Sequence, residues 1–307
     1  MIEKSIKKIL IIKHGSFGDI VFALEAMYSI RKHFQNSKIF LLTESKFKKF
    51  MTDSKFFDEI IIDNRENFFD SFKILKELIK YNFDLIIDLQ NSQRSNIYNF
   101  FMRYLSNSLI NGHRFNSHYK YKKKLEGLES PKLGLINQIK LLGVDIFLDN
   151  YKWLITDIYI KNIKDLILIV PSVSSSGKHK QWPQEKFIDL CIKLENIGKQ
   201  VCLVGTEKDR EVTNQIVKKC NNIFDLTGKS PPEIIYTIAL NCKLVVTNDT
   251  GPGHIAALTK NKIIWLAIDN ITTKVNIENN NINQKILSDK IENIPVELVF
   301  NKIKDNL

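Results

Sequence analysis

Short runs of β-branched and aliphatic residues alternate along this chain with longer segments in which apolar residues recur every three or four positions, roughly the helical repeat. That alternation predicts parallel sheets flanked by helices. In the first half, strands are predicted at 8–13, 38–43, 59–63 and 84–88. Between them, 20–33 carries Val21, Leu24, Met27, Tyr28 and Ile30 at helical spacing, and 69–81 carries Phe72, Leu75, Leu78 and Ile79. Residues 111–134 break the rhythm with Gly112, Gly127, Pro131, Gly134 and a basic run, which predicts a long surface loop. A helix over 135–142 ends at Gly143, and 149–164 reads as a connection.

The pattern then restarts. Strands are predicted at 166–170, 200–205, 223–226, 243–247 and 262–268. Helices are expected after Pro183, at 209–220, at 232–241, from Pro252 and at 295–303. The Asn-rich stretch 276–284 predicts a solvated loop. The division is a first domain over 1–155 and a second over 156–307, with the last helix a candidate to pack back on the first domain.

Composition narrows the classes. A chain of 307 residues is comfortable for two domains, and 44% hydrophobic with 26% charged residues excludes a disordered or fibrous chain. No stretch approaches the about 18 to 20 apolar residues that span a bilayer, so a soluble or peripheral protein is expected. Cys191, Cys202, Cys220 and Cys242 lack metal-ligand spacing and read as reduced thiols, which fits the cytoplasm. The net charge of +11 favours anionic partners, although a compositional bias of the genome accounts for it equally well.

Three loops between a strand and a helix carry candidate chemistry. In His14-Gly15-Ser16-Phe17-Gly18-Asp19, glycines let the backbone turn against a ligand, but the spacing is not the dinucleotide fingerprint. Asp19 is either a helix cap or a general base for an acceptor hydroxyl, with Ser16, Phe17 and Gly18 forming the acceptor-side loop. In the second loop Ser174, Ser175, Ser176 and Lys180 can surround a diphosphate; Lys180 is the preferred clamp, Lys178 its competitor, and Trp182-Pro183 an anchor for the following helix. In the third, Asp249, Thr250, Gly251 and His254 surround a helix start that can stabilise a leaving phosphate without a metal, or Asp249 and Thr250 are caps only. Glu207, at another strand end, is a candidate ribose ligand, and Thr227, Gly228 and Lys229 are candidates to border the base.

Taken in order, these segments resemble glycosyltransferase family 9, the ADP-heptose:lipopolysaccharide heptosyltransferases. The resemblance rests on Gly18-Asp19 after the first strand, on Asp84-Leu85-Ile86-Ile87-Asp88-Leu89-Gln90, on Lys180-Gln181-Trp182-Pro183, and on Asn248-Asp249-Thr250-Gly251-Pro252-Gly253-His254. It implies an α/β, GT-B architecture of two Rossmann-like domains whose parallel sheets face a cleft, with acceptor bound by the first and nucleotide sugar by the second. It implies an inverting, metal-independent transferase with no cofactor, in which Asp19 is the base, Lys180 holds the donor phosphates, and Asp249, Thr250 and Gly251 contact sugar and phosphate. The implied partners are a nucleotide-sugar donor, ADP-heptose first, and a lipopolysaccharide or other phosphorylated glycolipid acceptor, with peripheral contact at the cytoplasmic face of the inner membrane. Two departures stand out: Val170-Pro171-Ser172 replaces a common His-Pro-Gly, and His14-Gly15 replaces a pair of small or hydroxyl residues.

The basic loop with His113, Arg114, His118, Lys120, Lys122, Lys123 and Lys124 suits a phosphorylated glycolipid, and Tyr119 and Tyr121 are candidates for a membrane interface. The rival readings are a nucleotide-sugar-binding module without catalysis and, on the α/β pattern alone, a nicotinamide-dependent oxidoreductase. Nucleic-acid binding rests on net charge only and is not expected.

Overall fold

The computed structural model describes residues 6–66, 68–125, 127–277 and 281–307, and side chains are not described at residues 68, 69 and 176. The chain forms two compact units that divide between Asn150 and Tyr151. The first contains strands β1 Lys8–Ile12, β2 Lys38–Thr43, β3 Glu59–Ile62, β4 Leu85–Asp88, β5 Leu109–Gly112 and β6 Tyr119–Lys120, with helices α1 Phe17–His33, α2 Lys48–Ser54, α3 Phe68–Tyr81, α4 Gln93–Leu105 and α5 Pro131–Lys140. The second contains β7 Ile167–Val170, β8 Val201–Leu203, β9 Ile223–Asp225, β10 Leu244–Asn248, β11 Ile263–Ile268 and β12 Asn283–Ser288. Its helices are α6 Gln184–Asn196, α7 Arg210–Lys219, α8 Pro232–Asn241, α9 Gly251–Ala257, α10 Ile271–Asn276 and α11 Val296–Lys304.

Each unit is built on one six-stranded sheet, ordered β3-β2-β1-β4-β5-β6 in the first and β12-β11-β10-β7-β8-β9 in the second. All pairings are parallel. The orders are the same pattern, and in both the chain reverses direction across the sheet beside its first strand, at β1/β4 and at β7/β10. Strands covered on both faces must be apolar throughout. Ile9, Leu10, Ile11 and Ile12 of β1 and Ile167, Leu168, Ile169 and Val170 of β7 are accordingly buried. In the second unit Trp182, Phe187, Leu190 and Leu194 pack with Val299 and Ile303 of α11, so the last helix, a candidate for the first domain, is anchored in the second core.

Several local expectations need correction. Residues 111–134 are not one long loop: they hold the end of β5, the short strand β6 and the first turn of α5. That helix starts at Pro131, four residues before the expected position, because Ser130 caps it, accepting from the Leu133 amide at 3.2 Å. The stretch 276–284 is not wholly loop either. Residues 278–280 lie outside the described residues, but Asn283 opens β12, which pairs with β11 along six residues. Sheet pairing supplies the backbone hydrogen bonds that this polar sequence would otherwise find in water. Helices α2, α4 and α10 and strands β5, β6 and β12 had no counterpart in the sequence reading.

Candidate functional site

Ligands of open α/β sheets gather outside the carboxyl ends of the strands, where the strand order reverses. In the second unit that point lies between β7 and β10. Residues 171–183 leave β7 through a short 3-10 segment, Ser175–Lys180, and residues 249–254 lead from β10 into α9. Buried Asn248 ties the two loops, accepting from the Trp182 amide at 3.0 Å and donating to the carbonyls of Val170 and Pro171 at 3.3 Å. Trp182 is fully buried and donates from Nε1 to the Ile294 carbonyl at 3.0 Å, which fixes the end of the first loop as an anchor should.

Across this frame Lys180 Nζ donates to Asp249 Oδ2 at 2.8 Å, and His254 Nε2 lies 3.2 Å from Asp249 Oδ1. The Asp249 side chain is 6% exposed and that of Lys180 33%, so a buried carboxylate holds a lysine that still faces solvent. Burial opposes ionisation of Asp249, but His254 and Lys180 outweigh it and hold the carboxyl at about 2. Neither Asp249 nor Thr250 caps α9 through its side chain, so a capping-only role fits neither. Gly253 is required by space: a Cβ there would lie 2.6 Å from Thr247 Oγ1 and 2.9 Å from the Trp265 ring. Lys178 is exposed, whereas Lys180 is half-buried and oriented by Asp249. Ser174 and Ser175 are exposed on the same segment, and the Ser176 side chain lies outside the described residues. Ser172 Oγ, at one of the departures from the family pattern, is buried without a hydrogen-bond partner among the described residues.

The neighbouring strand ends carry a second cluster. Glu207 accepts from Arg210 at 2.6 Å and 3.1 Å, and Arg210 also donates to the Thr227 carbonyl at 2.8 Å. The Gly228 amide donates to the Gly205 carbonyl at 2.8 Å, joining the loops after β8 and β9. Thr227 turns its hydroxyl to Asp225 and is buried, whereas Lys229 is exposed. Arg210, absent from the sequence reading, therefore organises Glu207 and Thr227 together.

In the first unit the reversal lies between β1 and β4. Asp19 completes a capping box on α1: its Oδ2 accepts from the Ser16 amide and hydroxyl, both at 2.7 Å, while Ser16 Oγ accepts from the Asp19 amide at 3.3 Å. Gly15 has φ +114°, and a Cβ there would meet Asp19 Oδ2 at 2.6 Å, so this loop needs glycine twice over. Gly18 is buried, and Phe17 packs edge-on against Phe50 with ring centroids 5.0 Å apart.

Behind Asp19 stands a polar cluster that the sequence did not announce. Lys13 is buried and donates to the Leu89 carbonyl at 3.3 Å. Burial lowers its pKa, and the charges of Asp19 and Asp88 pull the other way. His14 is buried with Nε2 3.7 Å from Asp63, and burial pushes its imidazole down to about 4. Asp63 in turn accepts from Arg94 at 2.9 Å and from Tyr98 at 3.0 Å, and Glu44 pairs with Arg65 and Lys46. The family segment 84–90 is a scaffold here: fully buried Asp88 accepts from the amides of Gln90 and Asn91 and from Asn99 Nδ2 at 2.7 to 3.0 Å. The only usable sequence signal for this cluster was the position of each acid at a strand end.

The family model described as glycosyltransferase family 9 (heptosyltransferase) matches residues 147–293, a span that holds the second-unit cluster. Lipopolysaccharide heptosyltransferase 2 of Salmonella typhimurium is 31% identical over 116 residues, covering 36% of this chain and 33% of that one. Lipooligosaccharide heptosyltransferase 2 of Campylobacter jejuni is 25% identical over 257 residues, covering 80% of this chain and 77% of that one. Among solved structures, the E. coli heptosyltransferase WaaC with ADP superposes with a TM-score of 0.76 at 16% identity, covering 98% of this chain and 100% of that one.

Proposed function

We infer that this chain is a member of glycosyltransferase family 9 and transfers a sugar from a nucleotide-sugar donor, ADP-heptose being the expected one, to a lipopolysaccharide-type core glycan. The observation that carries this reading is the Lys180–Asp249–His254 cluster at the strand-order reversal of the second sheet, inside the span that matches the family.

In this reading the second unit binds the donor. Lys180, aimed by Asp249, holds the diphosphate, and the Thr250-Gly251 amides add donors where negative charge grows. Glu207 takes the ribose, and Thr227, Gly228 and Lys229 border the base. The first unit binds the acceptor, with Ser16, Phe17 and Gly18 beside the reacting hydroxyl. Asp19 accepts the hydroxyl proton, the oxygen forms its bond to the anomeric carbon from the opposite side, and the bond to the diphosphate breaks with its electron pair leaving on phosphate. The product is inverted, and the charge on the leaving group is met by side chains and amides rather than by a metal or cofactor. The four buried thiols fit a cytoplasmic enzyme, and a lipid-linked acceptor brings it to the inner face of the membrane.

One observation favours a non-catalytic binding module instead, because Asp19 is already occupied as a cap. Release of nucleoside diphosphate from a donor panel, with and without glycolipid acceptor and with and without chelator, separates the two. Acceptor-dependent release that survives chelation supports the transferase; tight donor binding with no release under any condition supports the module.

A further inference from the structure

The buried face of helix α4 mixes polar with apolar side chains. Its buried residues are Ser95, Tyr98, Asn99 and Met102, and the first three are polar. Asn99 donates to Asp88 at 2.8 Å and Tyr98 to Asp63 at 3.0 Å, so the inner face serves the carboxylates at the strand ends. The outer face is apolar instead: Ile97 is 51% exposed, Phe100 43%, Tyr104 63% and Leu105 62%. A surface helix ordinarily turns such residues inward. The Phe100 and Tyr104 rings lie 4.9 Å apart, which makes a continuous stripe. Phe115, 71% exposed, extends it, because its neighbour Asn116 is bound to Asn96 of α4 at 3.1 Å and to Arg103 at 2.9 Å.

Charge says what this face fits. Between Asp88 and Glu126 the sequence has seven Lys and Arg residues and no Asp or Glu. Arg94 and Lys124 pair with Asp63 and Glu129, while Lys120, Lys122 and Lys123 are exposed. Arg103 lies over the Tyr104 ring at 5.8 Å. An apolar stripe with aromatic residues, bordered by cations of one sign, suits an anionic lipid surface, where apolar burial and attraction add. A second copy of the chain on the same face would set cations against cations. Tyr119 and Tyr121, the interfacial candidates from sequence, are half-buried, and Tyr121 donates to Glu129.

We propose that the outer face of α4, with Phe115 and the exposed lysines 120, 122 and 123, docks the first unit on an anionic membrane. The proposal rests on the glycolipid-acceptor reading above for why such docking serves the enzyme. The test is flotation with phosphatidylglycerol-containing vesicles and with phosphatidylcholine vesicles, using the full chain and an Ile97→Ser/Phe100→Ser/Tyr104→Ser variant. The wild type should float with the anionic vesicles only, and the variant should lose at least about tenfold in binding while its transfer to a delipidated, water-soluble acceptor is unchanged. A Lys122→Glu/Lys123→Glu variant should lose the preference for anionic lipid. Equal binding by wild type and the triple variant, no binding at all, or a dimer in ultracentrifugation that the triple variant dissociates would each overturn the proposal. Failure of wild-type transfer to the soluble acceptor would instead strike the enzymatic reading and leave the vesicle result standing.

Discussion

The two strand-end sites occupy the same place in the same topology and are assembled in opposite ways. In the first unit the carboxylate of Asp19 is held by Ser16, three residues away, so the site is a local motif that any helix start could make. In the second, Asp249 is held by Lys180, 69 positions distant, and the partnership exists only because the sheet brings β7 beside β10. A locally held group can be altered with little effect beyond its loop. A group held across the fold should respond together with its partner. The two sites therefore call for different experiments.

The largest effect should come from separating the cap of Asp19 from its proposed chemistry. Asp19→Asn keeps an oxygen for the Ser16 amide but cannot take a proton at neutral pH. We expect kcat to fall by about 10³-fold, within the range of general bases, with thermal stability nearly unchanged. Asp19→Ala should lose the same activity and, in addition, about 1 kcal/mol of stability through the cap. Should steady-state assays find Asp19→Asn active, the first site is a cap and nothing more.

A smaller effect, on donor affinity, sharpens the other half of the comparison. Lys180→Ala should weaken donor binding by about 2 to 3 kcal/mol, the cost of a charge-assisted contact, and Asp249→Ala by somewhat less through loss of orientation. In a double-mutant cycle followed by calorimetry the combined variant should be little worse than Lys180→Ala, giving a coupling of about 1 to 2 kcal/mol. Strict additivity would mean that Asp249 does not work through Lys180.

This local-versus-distant contrast also marks what was legible in the sequence. The strands β1, β2, β7 and β10 were readable because burial on both faces demands unbroken apolar runs, and β10 leads into Asp249-Thr250-Gly251 without ambiguity. Lys180 stood out as a cation between a strand and a helix. Its bond to Asp249 did not, since nothing local encodes a partner 69 residues away. The cluster of Lys13, His14, Asp63 and Arg94 was hidden for the same reason: its members come from two strand ends and a helix. Helix α4 was missed because its inner face mixes Ser95 and Asn99 with Tyr98 and Met102 while its outer face is apolar, which blurs the pattern by which helices are recognised. Edge strand β12 was missed because its buried content is slight.

The smallest effect distinguishes the units by acid. His14, in the first unit, is neutral and buried, with a pKa of about 4 against 6.5 in an unfolded chain. Between those values the unfolded state binds a proton that the folded state refuses, so stability falls as pH drops, by about 2 kcal/mol at pH 5. Asp249, in the second unit, is depressed to about 2, so its contribution stays in full above about pH 4 and is lost only as pH falls toward 2. His113 and His118 in the first unit are also lowered by burial and add to the trend of His14, while buried Asp88, raised by burial, opposes it. The His14→Asn variant isolates one group, since the other three titrate in both proteins and cancel in the difference. All three tryptophans, Trp153, Trp182 and Trp265, lie in the second unit, so their fluorescence follows that unit alone while far-ultraviolet circular dichroism follows both. Denaturant titrations at pH 7 and pH 5 should show the dichroism transition weakened more than the fluorescence transition, and His14→Asn should remove about 2 kcal/mol of that excess. An equal loss by both probes, unchanged in His14→Asn, would mean that the acid response does not originate at the first site.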